Sequence, residues 1–259
     1  MKTKPAWLKA LGKRELPERI ELADRTLTLG TVFKDDFFAV TARYDGSGGD
    51  GGPVILKVNR QAPLFGLPMR WVGRFLASRE EACFRRLSDV PGIPDFIARW
   101  EGTGVVRGFV SGHAMKKGER VGDDFHDQLG ALIEAIHDRG MAYVDLEKCE
   151  NVLVGDDGRP RLFDFQIAWY LPRSWGGELW PARWLRRRFQ SGDRYHLVKL
   201  RRRTRPDQMT PEQIAASYRR PWYIHVHRLI TRPFTRLRRS VLNRIDPRTD
   251  SNERGRLNA

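Results

Sequence analysis

Cysteine is scarce in this chain of 259 residues. Cys83 and Cys149 are the two present, and neither belongs to a CxxC pair. That suits a reducing compartment better than a disulfide framework or a zinc site. Long apolar runs are also missing. The opening stretch MKTKPAWLKALGKREL is basic and broken by Lys9, Gly12 and Lys13, so it does not read as a signal peptide. No segment approaches the length of a membrane span, and a cytoplasmic location is the expectation. Acidic residues run short in one region only. From Phe165 onward there are 22 Lys+Arg against 7 Asp+Glu, which accounts for the whole net charge of +15. The cationic excess therefore bears on the partners of the C-terminal part, not on the fold.

What is present argues for a globular chain. A hydrophobic fraction of 40% and 8 Trp can fill one large core or two small ones. Residues 19–58 read as a β-meander. The glycine-rich DGSGGDGG at 45–52 forms an exposed hairpin loop before the short strand PVILKV. ASREEACFRRL fits a helix through Ala82, Phe84 and Leu87. GIPDFIARW and GVVRGFV supply two more strands, with a turn at Glu101–Gly104, and SGHAMKKGERVGDD reads as a loop. A helix follows from Asp124, with Phe125, Leu129, Leu132, Ile133 and Ile136 on one stripe and Gly140 as its stop. NVLVGDDG and RPRLFDF form a hairpin about the turn Gly155–Gly158. The remainder is helical and basic. In TPEQIAASYRR, Thr210, Pro211 and Gln213 have the spacing of a capping box. No internal repeat is visible, and the element order points to an α+β chain with two lobes.

Chemistry concentrates at the ends of the 152–163 hairpin. Pairing brings Asn151, before its first strand, close to Asp164, after its second. Their hard oxygens suit Mg²⁺, which keeps waters and binds phosphates at the same time. Asp145, just after the preceding helix, can face a substrate hydroxyl. A metal clamp beside such a carboxylate is what phosphoryl transfer needs. Upstream, Lys57 stands in an apolar strand, where a buried ammonium requires an anion. Glu81, on the following helix, is its expected partner in preference to the adjacent Glu80.

The segments VILKV, EEACFRRL, YVDLEKCEN and LFDFQ, in this order and spacing, resemble the successive signatures of the protein-kinase-like superfamily over roughly residues 25–170. The chain looks most similar to the small atypical branches, the bacterial lipopolysaccharide-core (Kdo/heptose) kinases and the Rio-type kinases. The resemblance implies an α+β, two-lobed fold. Residues 19–112 form a nucleotide-binding lobe, 113–220 a helical lobe with the catalytic loop and metal site, and 221–259 a basic amphipathic tail. It also implies ATP and Mg²⁺ as cofactors. Lys57 holds the nucleotide phosphates, Glu81 holds Lys57, Phe109 and Val110 lie in the hinge segment Phe109 to Gly112, Asp145 is the catalytic base, Lys148 contacts the transferring phosphate, and Asn151 and Asp164 bind the metal.

The sequence departs from that pattern in several places. The usual His-Arg-Asp reads Tyr143-Val144-Asp145, and Asp145 and Asn151 stand six apart, one more than usual. Gln166 replaces the glycine after Asp164 and Phe165. The place of the glycine-rich phosphate loop reads FKDDFFAV, leaving Lys34 to substitute by charge. No Ala-Pro-Glu follows, so the activation segment is short. The Arg-poor catalytic loop implies no activation by phosphorylation.

The tail supports two readings. Trp222, Val226, Leu229, Ile230, Pro233, Phe234, Leu237, Val241 and Ile245 recur at helical spacing with arginines opposite. Such helices either pack on the second lobe or lie on an anionic membrane surface, with Trp175, Trp180, Trp184 and Trp222 near the interface. No nucleic-acid module is recognisable. Two functions follow. One is a phosphotransferase with a hydroxyl acceptor, either a lipopolysaccharide or glycolipid sugar or a protein Ser/Thr. The alternative is a pseudokinase scaffold docked on membrane or nucleic acid through the tail. His137 is expected on the polar side of its helix, in a structural role. Cys149 reads as a loop filler, and His225 and His227 as packing or surface residues.

Overall fold

In the computed structural model, residues 5–23, 25–46, 52–64 and 66–219 are described. Apolar alternation builds the first sheet. Strands β1 (Arg19–Leu22), β2 (Arg25–Asp35), β3 (Ala39–Gly46) and β4 (Val54–Asn59) pair antiparallel in sequence order. β5 (Phe96–Trp100) and β6 (Gly104–Gly108) complete a six-stranded sheet of order β1-β2-β3-β4-β6-β5.

The period-2 rule then sorts the side chains of β4. Val54, Leu56 and Val58 join Val40, Ala42, Tyr44 and Val106 in one core, on one face of the sheet. Ile55 and Lys57 take the other face, beside Arg107 and Val105 respectively. Against β4, β5 and β6 packs α1 (Arg70–Arg86). This helix begins well before the Ala77 expected from sequence. Its buried residues include Gly73, Ala77, Glu80 and Phe84, spaced four, three and four apart, so they form one stripe.

A second core gathers Ala77, Phe84, Leu87 and Val105 with the helical part of the chain. There α2 (Phe125–Asp138) buries Phe125, Leu129, Leu132, Ile133 and Ile136, as its periodicity predicts. Gly140, at φ 74°, lies just beyond it in the left-handed conformation of a helix stop. The expected hairpin forms from β8 (Val152–Gly155) and β9 (Pro160–Leu162). Part of the segment expected as a loop is instead a strand, β7 (Gly112–Ala114), which pairs with β8 to make a three-stranded sheet. Backbone approach explains this strand's glycine. Gly112 sits at φ 145°, and a Cβ there would overlap the Val154 carbonyl.

The long basic helix α3 (Trp180–Thr204) follows. The chain divides into two compact units, Met1–Gln208 and Met209–Ala259. In the second unit, α4 (Pro211–Ser217) starts with the expected capping box. Thr210 accepts the Gln213 N–H, and Gln213 accepts the Thr210 N–H. The tail at 221–259, with Trp222, His225 and His227, lies outside the described residues. Among the described residues, no helix is long and apolar enough to cross a membrane.

Candidate active site

Strand parity turns Lys57 toward α1, and two carboxylates meet it there. Its Nζ donates to Glu80 Oε1 and to Asp164 Oδ1, both at 2.9 Å. The expected partner, Glu81, is elsewhere. It binds Arg85 at 2.9 Å and Arg99 at 3.0 Å, one residue round the helix from the buried stripe. Glu80 lies on that stripe and is 1% exposed, so a helix that buries Ala77 and Phe84 must bury Glu80 with them. The spacing was the signal that distinguishes the two glutamates.

The electrostatics of this cluster have opposing causes. Burial disfavours the Lys57 ammonium, but Glu80 and Asp164 outweigh it and hold the pKa above the ordinary lysine value. Burial also opposes ionisation of Asp164, yet Lys57 and the Gln166 N–H keep that group below the usual carboxylate range. For Glu80 burial wins and the pKa rises, although Lys57 and Arg107 pull against it. Glu80 Oε2 is buried with no hydrogen-bond partner. Arg107, on the Lys57 face of the sheet, stacks 5.1 Å from the Phe163 ring centroid and is pushed down to about 10 by burial.

The loop after α2 is held from a distance in sequence. Asp193, buried within α3, accepts the backbone N–H of Tyr143 at 2.8 Å and of Val144 at 2.7 Å. His137 Nε2 lies 3.0 Å from the same carboxylate. His137 is therefore buried, not on the polar side of its helix, though its role is structural as expected. Val144 takes φ 71°, a conformation that costs a β-branched residue about 1–3 kcal/mol. Asp193 satisfies the two consecutive backbone N–H groups that lead into that turn. Sequence reading missed Asp193, a lone acid in a basic helix 48 residues beyond Asp145 with no local pattern.

Within the loop, Lys148 Nζ reaches Asp145 Oδ2 at 2.7 Å, so the extra residue before Asn151 does not turn it away. That residue is taken up in a short 3₁₀ turn, Cys149–Asn151. Asn151 Nδ2 donates to the Asp145 carbonyl at 3.1 Å. The β8–β9 pairing of Val152 with Leu162 brings the two hairpin ends together as expected. Gln166, in place of a glycine, has a definite use. Its Nε2 donates to Asn59 Oδ1 at 2.9 Å, tying the end of β4 to the segment after Asp164.

The turn between β2 and β3 contains no glycine. Asp36 Oδ1 instead accepts the N–H of Phe38 at 2.8 Å and of Ala39 at 2.9 Å, fixing the turn by a side chain. Lys34 pairs with Asp36 at 2.9 Å and also lowers the Asp164 pKa, so its charge is felt at the cluster. Phe109 and Val110 connect β6 to β7. The Phe109 N–H binds the Pro53 carbonyl at 3.2 Å, and Arg43 stacks on its ring at 4.7 Å.

The donor set can be tested for a cation. Among the described residues no group of three or more His, Cys, Asp or Glu could hold a metal by itself. Asp164 is engaged through Oδ1 and Asn151 through Nδ2, and among the described residues neither Asp164 Oδ2 nor Asn151 Oδ1 carries a hydrogen bond. Two such ligands fit Mg²⁺, which fills the rest of its octahedron with water and phosphate.

No protein-family profile matches this sequence, and no curated protein matches it. Solved structures do. The Rio2 kinase of Chaetomium thermophilum, in its complex with ADP/Mg²⁺ and phosphoaspartate, superimposes with a TM-score of 0.52 at 17% identity. The match covers 71% of this chain and 57% of that one. A second structure of the same kinase gives 0.52 and 17%, over 72% and 62%. The fold is protein-kinase-like. This chain thus spans less than two thirds of either Rio2 structure. In the kinase-like frame, Lys57 comes from the sheet lobe, Glu80 from its helix, and Asp145, Asn151 and Asp164 from the helical lobe.

Proposed function

We propose that the chain is an ATP- and Mg²⁺-dependent phosphotransferase that moves the γ-phosphoryl group to a hydroxyl acceptor. The observation that carries this reading is the joint grip of Glu80 and Asp164 on Lys57, each at 2.9 Å, beside a loop presenting Asp145 and Asn151. In this reading residues 19–112 bind the nucleotide, 113–220 carry the transfer chemistry, and 221–259 recruit an anionic partner.

Lys57 is the cation for the nucleotide phosphates, and Glu80 fixes its direction. Phe109 and Val110 lie at the base end of the nucleotide and Lys34 at its phosphate end. Asp145 orients the acceptor hydroxyl and takes its proton as the bond from that oxygen to phosphorus forms and the bond to the ADP oxygen breaks. Lys148, already bound to Asp145, steadies that carboxylate and lies within reach of the moving phosphoryl group. Asn151 and Asp164 would hold Mg²⁺, which when bound neutralises phosphate charge. The acceptor is a glycolipid sugar or a protein Ser/Thr.

The test is ATP turnover by the purified chain with a cell-envelope extract and labelled ATP. Asp145→Ala should lower label transfer by about two to four orders of magnitude at unchanged melting temperature. Transfer equal to the wild type would refute the assignment.

A further inference from the structure

The first turns of α3 and the short segment before it carry large apolar side chains that the described chain leaves uncovered. Trp175 is 74% exposed, Leu179 65%, Trp180 79% and Trp184 49%. Scattered exposed apolar residues need no explanation, but several together mark a contact surface. Trp180 and Trp184 stand one helical turn apart. With Pro181 and Leu185 they line an open groove of about 420 Å³.

Charge identifies the occupant. Arg183 and Arg187 are exposed on the same two turns, and the Arg188 guanidinium lies 5.3 Å from the Trp184 ring centroid. The one acidic residue of α3, Asp193, is buried on the Tyr143 and Val144 backbone. Glu178, just before the helix, is paired with Arg186 at 3.3 Å and Arg173 at 3.8 Å. Arg183, Arg187 and the indole rings therefore share a face, and the acid beside it among the described residues, Glu178, is already held by Arg186 and Arg173. A nucleic acid would use the cations but wants flat rings as stacking platforms, whereas these rings line a groove with Pro181 and Leu185. A lipid headgroup layer takes both features at once. Indoles settle at the boundary of hydrocarbon and water, and each arginine near an anionic surface is attracted to it.

We infer that the N-terminal end of α3 docks on an anionic bilayer, Trp175, Leu179 and Trp180 entering the interface and Arg183 and Arg187 meeting the headgroups. Resting on the phosphotransferase reading, this docking further assigns the acceptor hydroxyl to a membrane lipid.

Co-sedimentation of the full chain with phosphatidylcholine vesicles, with and without phosphatidylglycerol, tests the docking without any nucleotide. The wild type should partition onto the anionic vesicles and weakly onto the neutral ones. The full-chain variant W180E/W184E should lose about tenfold or more of that affinity at an unchanged melting temperature, and R183E/R187E should lose the preference for phosphatidylglycerol. The tail variant R236E/R238E/R239E should still bind. Binding by W180E/W184E equal to the wild type, or no binding to either vesicle by the wild type, overturns the proposal. Asp145→Ala should bind vesicles like the wild type, so failure of the transfer chemistry and failure of docking give different results.

Discussion

Asp193 holds Val144 in a left-handed backbone conformation, accepting its N–H at 2.7 Å while φ stands at 71°. The same carboxylate takes the Tyr143 N–H and faces His137, so one buried acid of α3 shapes the residue immediately before Asp145. In the phosphotransferase proposed above, Asp145 would therefore be positioned by a residue outside its own loop.

Asp193→Asn should test this positioning role. The amide keeps one acceptor oxygen and turns an N–H₂ toward a backbone donor, at a cost of about 1–3 kcal/mol in stability. Denaturant titration measures that part. Steady-state kinetics on the folded protein should show a lower kcat with an ATP KM close to that of the wild type. An unchanged kcat would reduce Asp193 to a purely structural residue.

Adjacent glutamates on α1 should respond very differently. Glu80→Ala removes one of two carboxylates from a buried ammonium and should cost about 3–5 kcal/mol. Glu81→Ala breaks contacts to Arg85 and Arg99 near the surface and should cost at most about 1 kcal/mol. Urea denaturation of the two variants compares them directly, and equal costs would contradict the placement of Glu80.

Much of this arrangement is legible in the sequence, for physical reasons. Lys57 is readable because strand alternation buries its neighbours, which makes a charge there demand partners. Asn151 and Asp164 are readable because a hairpin joins its own ends. Glu80 was within reach, since Gly73, Ala77 and Phe84 define the stripe it sits on, but Arg70 and Arg74 made the stretch before Ala77 read as basic and hid the start of the helix. Exposed Trp71 and Phe75 further blur its amphipathic pattern. Asp193 was out of reach because its partners are backbone N–H groups, which leave no side-chain pattern. The segment at Gly112 was read as a loop because its strand is three residues long and is set by pairing with β8, not by its own alternation.

Stability should also depend on pH through His126. This ring lies 2.7 Å from the Thr204 hydroxyl, and its pKa is pushed down to about 4 by burial, with Arg201 and Arg205 adding to the effect and Asp127 opposing it. The unfolded chain binds the proton near 6.5, so between pH 6.5 and 4 it holds more protons than the folded chain at this position. This group's contribution therefore falls as pH drops through that window and levels off below pH 4. Melting temperatures of the wild type and His126→Gln should converge as the pH falls from 7 toward 4. Parallel curves would remove His126 as a source of the dependence.

The central claim is that Lys57, Asn151 and Asp164 surround one Mg–nucleotide pocket, and a thermal-shift titration tests it most directly. With ATP and Mg²⁺ at about 100 times Kd, the melting temperature should rise by roughly 5–10 °C. EDTA, or Asp164→Asn, should remove most of that rise. No rise in the wild type, or a rise that survives both changes, would contradict the account.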